Sequence, residues 1–332
     1  MNKIKIFFLI LLALLLLGIN GILCGSFAAG ISEPIKLTIS AGPVGGGWYN
    51  VAGTIAEIIK SSIPGSEVTV MTGGGVGNPT RLNEGKADVG FTQGGIYYAA
   101  LNGLVPYKKK HTNVQGMLFL ANLPMAWLIV DEDCPINSIE EIKEKHFPIK
   151  LGTTTLLSTP ELASRRILAE YGITYDDIKS WGGKVTFGSY ADIGNLIKDG
   201  HLDAYMGAVS AVPAMEELIT THKMKLLPVK EEAIDAVVEK YGYSKTVVPK
   251  GTFYFVSQDL PFLVEQMILI VRADLSDDVV YAVTKAICEN ADAIRQAVAF
   301  YKVFDPAKAF NIFGGPLHPG AEKYFKDSGY IE

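Results

Sequence analysis

The chain is poor in cysteine and lacks every short motif that would mark a familiar catalytic centre. Three of its 332 residues are cysteine. With no spaced framework among Cys24, Cys134 and Cys288, the fold must rest on a hydrophobic core. Cys134 and Cys288 leave two readings, one disulfide or two separate buried thiols. The histidines, at 111, 146, 201, 222 and 318, are scattered. No two stand at metal-ligand spacing and no cysteine pair adjoins them, so no metal site is expected. There is no Gly-x-x-x-x-Gly-Lys-Ser/Thr phosphate loop, and Asn78 stands where a dinucleotide fingerprint begun at Gly73 and Gly75 would need glycine. No Gly-x-Ser-x-Gly elbow surrounds Ser189 or Ser210. No catalytic set can be named, and no cofactor is expected.

Long apolar runs are also missing after residue 19. The one present, Ile6 to Ile19, is 14 residues long, short of the roughly 18 to 20 that a membrane-spanning helix needs. Lys3 and Lys5 precede it and the small residues Gly25 to Gly30 follow, which is the order of a secretory signal peptide. Cleavage is expected after Ala28, an uncleaved anchor being the other reading. Cys24 follows a bulky Leu23, which argues against lipoprotein processing. Without residues 1–28 the chain keeps 28 basic against 35 acidic side chains, a formal charge of −7. An acidic exported protein is a poor partner for nucleic acid.

What remains alternates short β-branched runs with amphipathic ones. Lys36 to Ser40, Val68 to Thr72, Asp88 to Thr92, Met117 to Leu120 and Trp127 to Val130 read as strands, and Val51, Ile55, Ile58 and Ile59 keep helical spacing between the first two. A second series follows a helix opened by Ser138 with Glu141 three residues on, the spacing of a reciprocal capping box. It runs through Ile149 to Gly152, Pro160 to Tyr171, Val185 to Phe187, Ala191 to Lys198 and Leu202 to Met206. Leu82-x-x-Gly85-x-x-Asp88 recurs as Ile197-x-x-Gly200-x-x-Asp203, in each case a helix end, a left-handed glycine and a strand entry. The expectation is an α/β protein of two lobes with parallel sheets. Lobe 1 takes 36–130 and 262–332, and lobe 2 takes 131–261. Val264 to Val271 is long enough to travel between the lobes, and Ser276 opens a closing helix with a stripe from Val280 to Ile294.

Ligands of open α/β sheets bind beyond the carboxyl ends of strands, where bare backbone at a helix start accepts an anion. Two glycine-rich joints qualify in lobe 1: Gly45-Gly46-Gly47 within "GPVGGGWYN", and Gly73-Gly74-Gly75-Val76-Gly77. In lobe 2 hydroxyls take the place of glycine, from Thr153 to Thr159.

The segments "AGPVGGGWYNVAGTIAEIIK", "VTVMTGGGVGNPTRLNEGKADVGFTQGGIYYAALNG", "ILIVRADL" and "GGPLHPGAEKYFKDSGYIE" resemble the TAXI group of solute receptors, which serve tripartite ATP-independent periplasmic (TRAP) transporters. The resemblance runs from about Lys36 to the C-terminus. It implies a type II periplasmic-binding-protein fold, a hinge between the lobes, a glutamate-like or 2-oxoglutarate-like ligand and a membrane permease as partner. Gln93-Gly94-Gly95 departs from the Gln-Ser-Asp usual in that group. A receptor feeding a sensor kinase, or a secreted enzyme on the same fold, are the other readings.

The candidate ligand residues are the N–H groups of Gly46 and Gly47 with the Tyr49 side chain, then Gly75, Val76 and Asn78, then Gln93. The facing lobe offers Thr154, Thr155, Ser158 and Tyr190, with Ala208 or Val209 lining the cleft. Asn78 before Pro79 also suits a helix N-cap. Trp48 reads as packing, Arg81 as a solvent-facing cation and His318 as structural.

Overall fold

The structure is a computed structural model that describes residues 33–332 apart from Pro43, Gly45 and Ala211. The expected signal peptide and its cleavage point lie outside the described residues, as does Gly45. Along the chain the strands are β1 (Lys36–Ser40), β2 (Glu67–Met71), β3 (Val89–Gln93), β4 (Gln115–Pro124), β5 (Trp127–Asp131), β6 (Lys150–Thr154), β7 (Lys184–Gly188), β8 (Ala204–Gly207), β9 (Met224–Leu226), β10 (Ser244–Val248) and β11 (Leu260–Val271).

They form two sheets, not one. The first has the order β10-β11-β3-β1-β2, with β4 also on β11, and the second has the order β7-β6-β8-β5-β9. Each sheet has its own core, so the two-lobed α/β class holds. The sheets are mixed, however, where parallel ones were expected. β1 runs parallel to β2 and β3, and β6 parallel to β7 and β8. β11 runs antiparallel to β3, β4 and β10, and β5 antiparallel to β8 and β9. The chain leaves the first sheet between β4 and β5 and returns to it at β10, so the antiparallel strands β5 and β11 stand next to the two crossings. β5 pairs in the second sheet and β10 edges the first, each across the boundary that the sequence suggested.

The repeated Leu/Ile-Gly-Asp pattern is the same joint built twice. Gly85 and Gly200 have φ of +69° and +72°, a conformation that glycine adopts without steric cost. The Asp88 carboxylate then accepts from Thr38 N–H at 2.7 Å and its own N–H donates to Thr38 O at 2.9 Å. Asp203 does the same to Lys150, at 3.2 and 2.9 Å. Each aspartate thus fixes the register of a strand against its parallel neighbour.

Helix Gly47–Ser62 buries Val51, Ala52, Ile55, Ala56, Ile58 and Ile59 against the first sheet. Each fully buried branched side chain is worth about 1.5–3 kcal/mol. The closing stripe is divided between helices Asp277–Glu289 and Ala291–Ala297, with Asn290 at the break. Ser276 caps the first of them through Val279 N–H. Ser138 also caps its helix, but Glu141 reaches back to Asn137 N–H instead of the cap residue. The reciprocal box occurs at Thr174 and Asp177, which sequence reading missed. Cys134 and Cys288 are buried free thiols.

The hinge region follows from β4, β5 and β11. At the end of β4 the chain turns through Ala126, whose φ is +59°, and Trp127 then enters the second core with its ring centroid 4.1 Å from that of Phe262. β11 is hydrogen-bonded in the first sheet along its length, yet Leu260, Phe262 and Leu263 pack in the second core while Leu269 and Val271 pack in the first. One rigid strand therefore supports both lobes.

Candidate functional site

The carboxyl ends of β1, β2 and β3 converge on one edge of the first sheet. After β2 the chain passes through Gly73 to Gly77 into the short helix Gly77–Asn83. The carbonyls of this loop are tied down. Thr92 Oγ1 donates to Gly75 O at 2.8 Å, and Tyr107 Oη to Val76 O at 2.7 Å. Among the described residues no group accepts from the N–H of Gly75, Val76 or Gly77. Three adjacent free donors make a concavity suited to an anion.

Asn78 is the staple behind that loop, not a cap or a surface contact. It is fully buried. Its amide nitrogen donates to the carbonyls of Ser40, Ala41 and Phe91 at 2.7–2.9 Å, and its oxygen accepts from Gly74 N–H at 3.0 Å and from Ser40 Oγ at 2.8 Å. The helix N-cap position belongs to Val76. Arg81 Nη1 lies 3.2 Å from both Ser40 Oγ and Asn78 Oδ1, so this half-buried side chain brings its charge beside the glycine loop. Among the described residues it forms no ion pair.

A side chain at either glycine would displace a neighbour, at Gly73 against the Ala41 carbonyl oxygen 2.7 Å away. A Cβ on Gly73 would sit 2.3 Å from Asn78 Oδ1, and one on Gly75 would sit 2.1 Å from Gln93 Oε1 and 3.3 Å from the Trp48 ring. Gln93 is 8% exposed, and its Oε1 has no hydrogen-bond partner among the described residues. A buried acceptor of this kind costs free energy until a donor reaches it.

The facing loop leaves β6 through Thr155 and enters helix Thr159–Glu170. Thr154 Oγ1 and Ser158 Oγ lie 2.7 Å apart. Ser158 is the N-cap residue, but its side chain does not bond the helix N–H groups. Leu157 has a φ of +65°, a left-handed conformation unfavourable to leucine. Its N–H is held by Glu161 Oε2 at 2.8 Å. Leu156 and Leu157 are exposed.

These two loops line one cavity of about 390 Å³, with Gly74 to Gly77 on one wall and Thr155 to Pro160 on the other. Of the sequence-predicted residues, Gly75, Val76, Thr155 and Ser158 meet there. Thr154 stands behind Ser158, and Gln93 behind Gly75. Gly46 and Gly47 border a neighbouring cavity of about 330 Å³ with Trp48, Leu123, Met267 and Tyr301. There Trp48 lines the space, stacked 5.7 Å from Phe91 with its Nε1 donating to Met267 Sδ at 3.3 Å. Tyr49 is half-buried, and both it and Trp48 pack against the first core. Tyr190 opens a helix on the second core, where burial pushes its phenol up to about 12. Ala208 and Val209 are wholly buried in that core and present nothing to a cleft.

Two solved structures share the architecture. A TctC solute binding protein from Polaromonas is 16% identical with a TM-score of 0.51, over 91% of this chain and 99% of that one. MatC from Rhodopseudomonas palustris, solved with bound malate, is 12% identical with a TM-score of 0.51, over 90% and 99%. At such identities the likeness concerns the two-lobed periplasmic-binding-protein fold alone. The sequence itself matches the NMT1-like family over residues 39–329, and the chain belongs to that family.

Proposed function

We propose that the protein is an exported solute receptor that captures a small organic acid, glutamate-like or 2-oxoglutarate-like, and delivers it to an ion-gradient-driven TRAP permease. The observation that carries this reading is the cavity shared by the two loops. Free N–H groups at Gly75 to Gly77 and the Arg81 charge beside them suit a carboxylate. The hydroxyls of Thr155 and Ser158 suit the opposite end of the ligand. A ligand touching both walls stabilises the closed arrangement by its differential contacts, with Pro124 to Trp127 and β11 as the hinge. The malate held by MatC agrees with this ligand class. The family assignment and the two-lobed fold support a receptor over an enzyme.

Thermal shift against glutamate, 2-oxoglutarate and malate tests the reading. A ligand at 100 times its dissociation constant stabilises by about 2.7 kcal/mol. The expected result is a shift with at least one of these acids that is lost in Gly75→Val, whose side chain collides with Gln93. No shift with any of them removes the ligand class. Uptake by co-reconstituted TRAP permease tests the partner.

A further inference from the structure

Helix Thr159–Glu170 borders another cavity beyond the hydroxyl loop. It measures about 310 Å³ and is bounded by Leu162, Arg165 and Arg166 of that helix, by Tyr241, and by Leu104 and Val105 from the chain that follows β3. Arg166 is 6% exposed. Its guanidinium lies 4.3 Å from the Tyr241 ring centroid. Nη1 donates to the Tyr243 hydroxyl at 2.8 Å and Nη2 to the Val105 carbonyl at 3.1 Å. All these partners are neutral, and among the described residues Arg166 forms no ion pair. The acid that feels its charge, Glu265, is itself buried; burial lifts its carboxyl to about 8 while Arg166 and the Tyr243 hydroxyl act the other way. Arg165 directs Nε to Glu161 at 3.1 Å, while its Nη2 is buried without an acceptor.

Holding a charge out of water with only neutral direct partners is unfavourable. Here a buried guanidinium whose direct partners are all neutral and an N–H without an acceptor border a chamber whose other walls are mostly apolar. We propose that this chamber is a second ligand site, separate from the cleft between the glycine and hydroxyl loops, which takes an organic anion with an apolar body. The oxyanion lies against the two arginines, whose planar forks match carboxylate or sulfonate oxygens. Leu104, Val105 and Leu162 hold the body. Because Val105 belongs to the chain between β3 and β4 and the arginines to the second lobe, an occupant braces one lobe against the other.

Isothermal titration of the purified protein with hexanoate, hexanol and hexylamine tests this. Two variants alter the chamber without removing a buried bond: Ala169→Trp, which fills it from an exposed position, and Leu104→Glu, which sets a like charge at a rim residue that is 36% exposed. Hexanoate is expected to bind at least 10-fold more tightly than the alcohol or the amine. Both variants are expected to weaken it at least 10-fold, with unliganded melting not lowered, and Gly75→Val is expected to leave it intact. Should Ala169→Trp fail to fold, Leu104→Glu decides. Absence of hexanoate binding, undiminished binding in Leu104→Glu, or loss of binding in Gly75→Val would each overturn the proposal, the last by locating the anion in the cleft.

Discussion

Replacing Asn78 with alanine separates a residue that builds the site from one that touches a ligand. The Asn78 amide offers two N–H groups and two lone pairs, and all are engaged: the nitrogen faces the carbonyls of Ser40, Ala41 and Phe91, and the oxygen faces Gly74 N–H and Ser40 Oγ. At roughly 1 kcal/mol net for each of four bonds, truncation costs about 4 kcal/mol. Asn78→Asp keeps the shape but replaces both donors with an acceptor facing three carbonyls, so it is expected to be at least as damaging. Urea unfolding followed by tryptophan fluorescence measures the loss as a lower midpoint at unchanged slope. The glycine loop loses its anchor at Gly74 as well, so ligand affinity falls with stability. A midpoint corresponding to less than about 1 kcal/mol of loss, together with a large drop in affinity, would refute the reasoning and return Asn78 to the ligand.

Two further perturbations follow from groups held in unusual states. Glu265 has a folded value of about 8, raised by burial from the ordinary 4.5. Below 4.5 both states hold the proton and the group contributes nothing; between 4.5 and 8 the unfolded chain releases it while the folded chain keeps it, so stability falls as pH rises; above 8 the penalty is complete. Glu265→Gln, which retains an acceptor for Gly95 N–H, is expected to flatten the fall in melting temperature across that window, and an unchanged slope contradicts the assignment. At Leu157, with its φ of +65°, glycine is expected to be neutral or stabilising and valine destabilising, the two differing by about 1–2 kcal/mol. Equal melting temperatures for the pair would mean that the loop relaxes at no cost.

The features legible in the sequence are those whose physics is local. The Gly85 and Gly200 joints, the Ser276 cap and the alternation of strands and helices all depend on neighbours within a few residues, and they appear as expected. His318 was also read as structural, and it caps helix Pro319–Asp327 by accepting from Gly320 N–H, with its other ring nitrogen 3.1 Å from Leu275 O. Misreadings arose where the deciding partner is distant in sequence. The Asn-Pro pair at 78 and 79 suggests a cap because local geometry allows one, yet the side chain is claimed by the ends of two strands, β1 and β3. Trp48 reads as packing and does pack against the first core, but its partners Phe91 and Met267, the latter 219 positions away, are ones that no spacing rule reports. Arg166, too, has partners that no local pattern reports: Val105, Tyr241 and Tyr243. Which polar groups stay unpaired is therefore decided by long-range packing: the N–H groups of Gly75 to Gly77, Gln93 Oε1 and Arg165 Nη2 stand out from other polar groups only once the chain has folded.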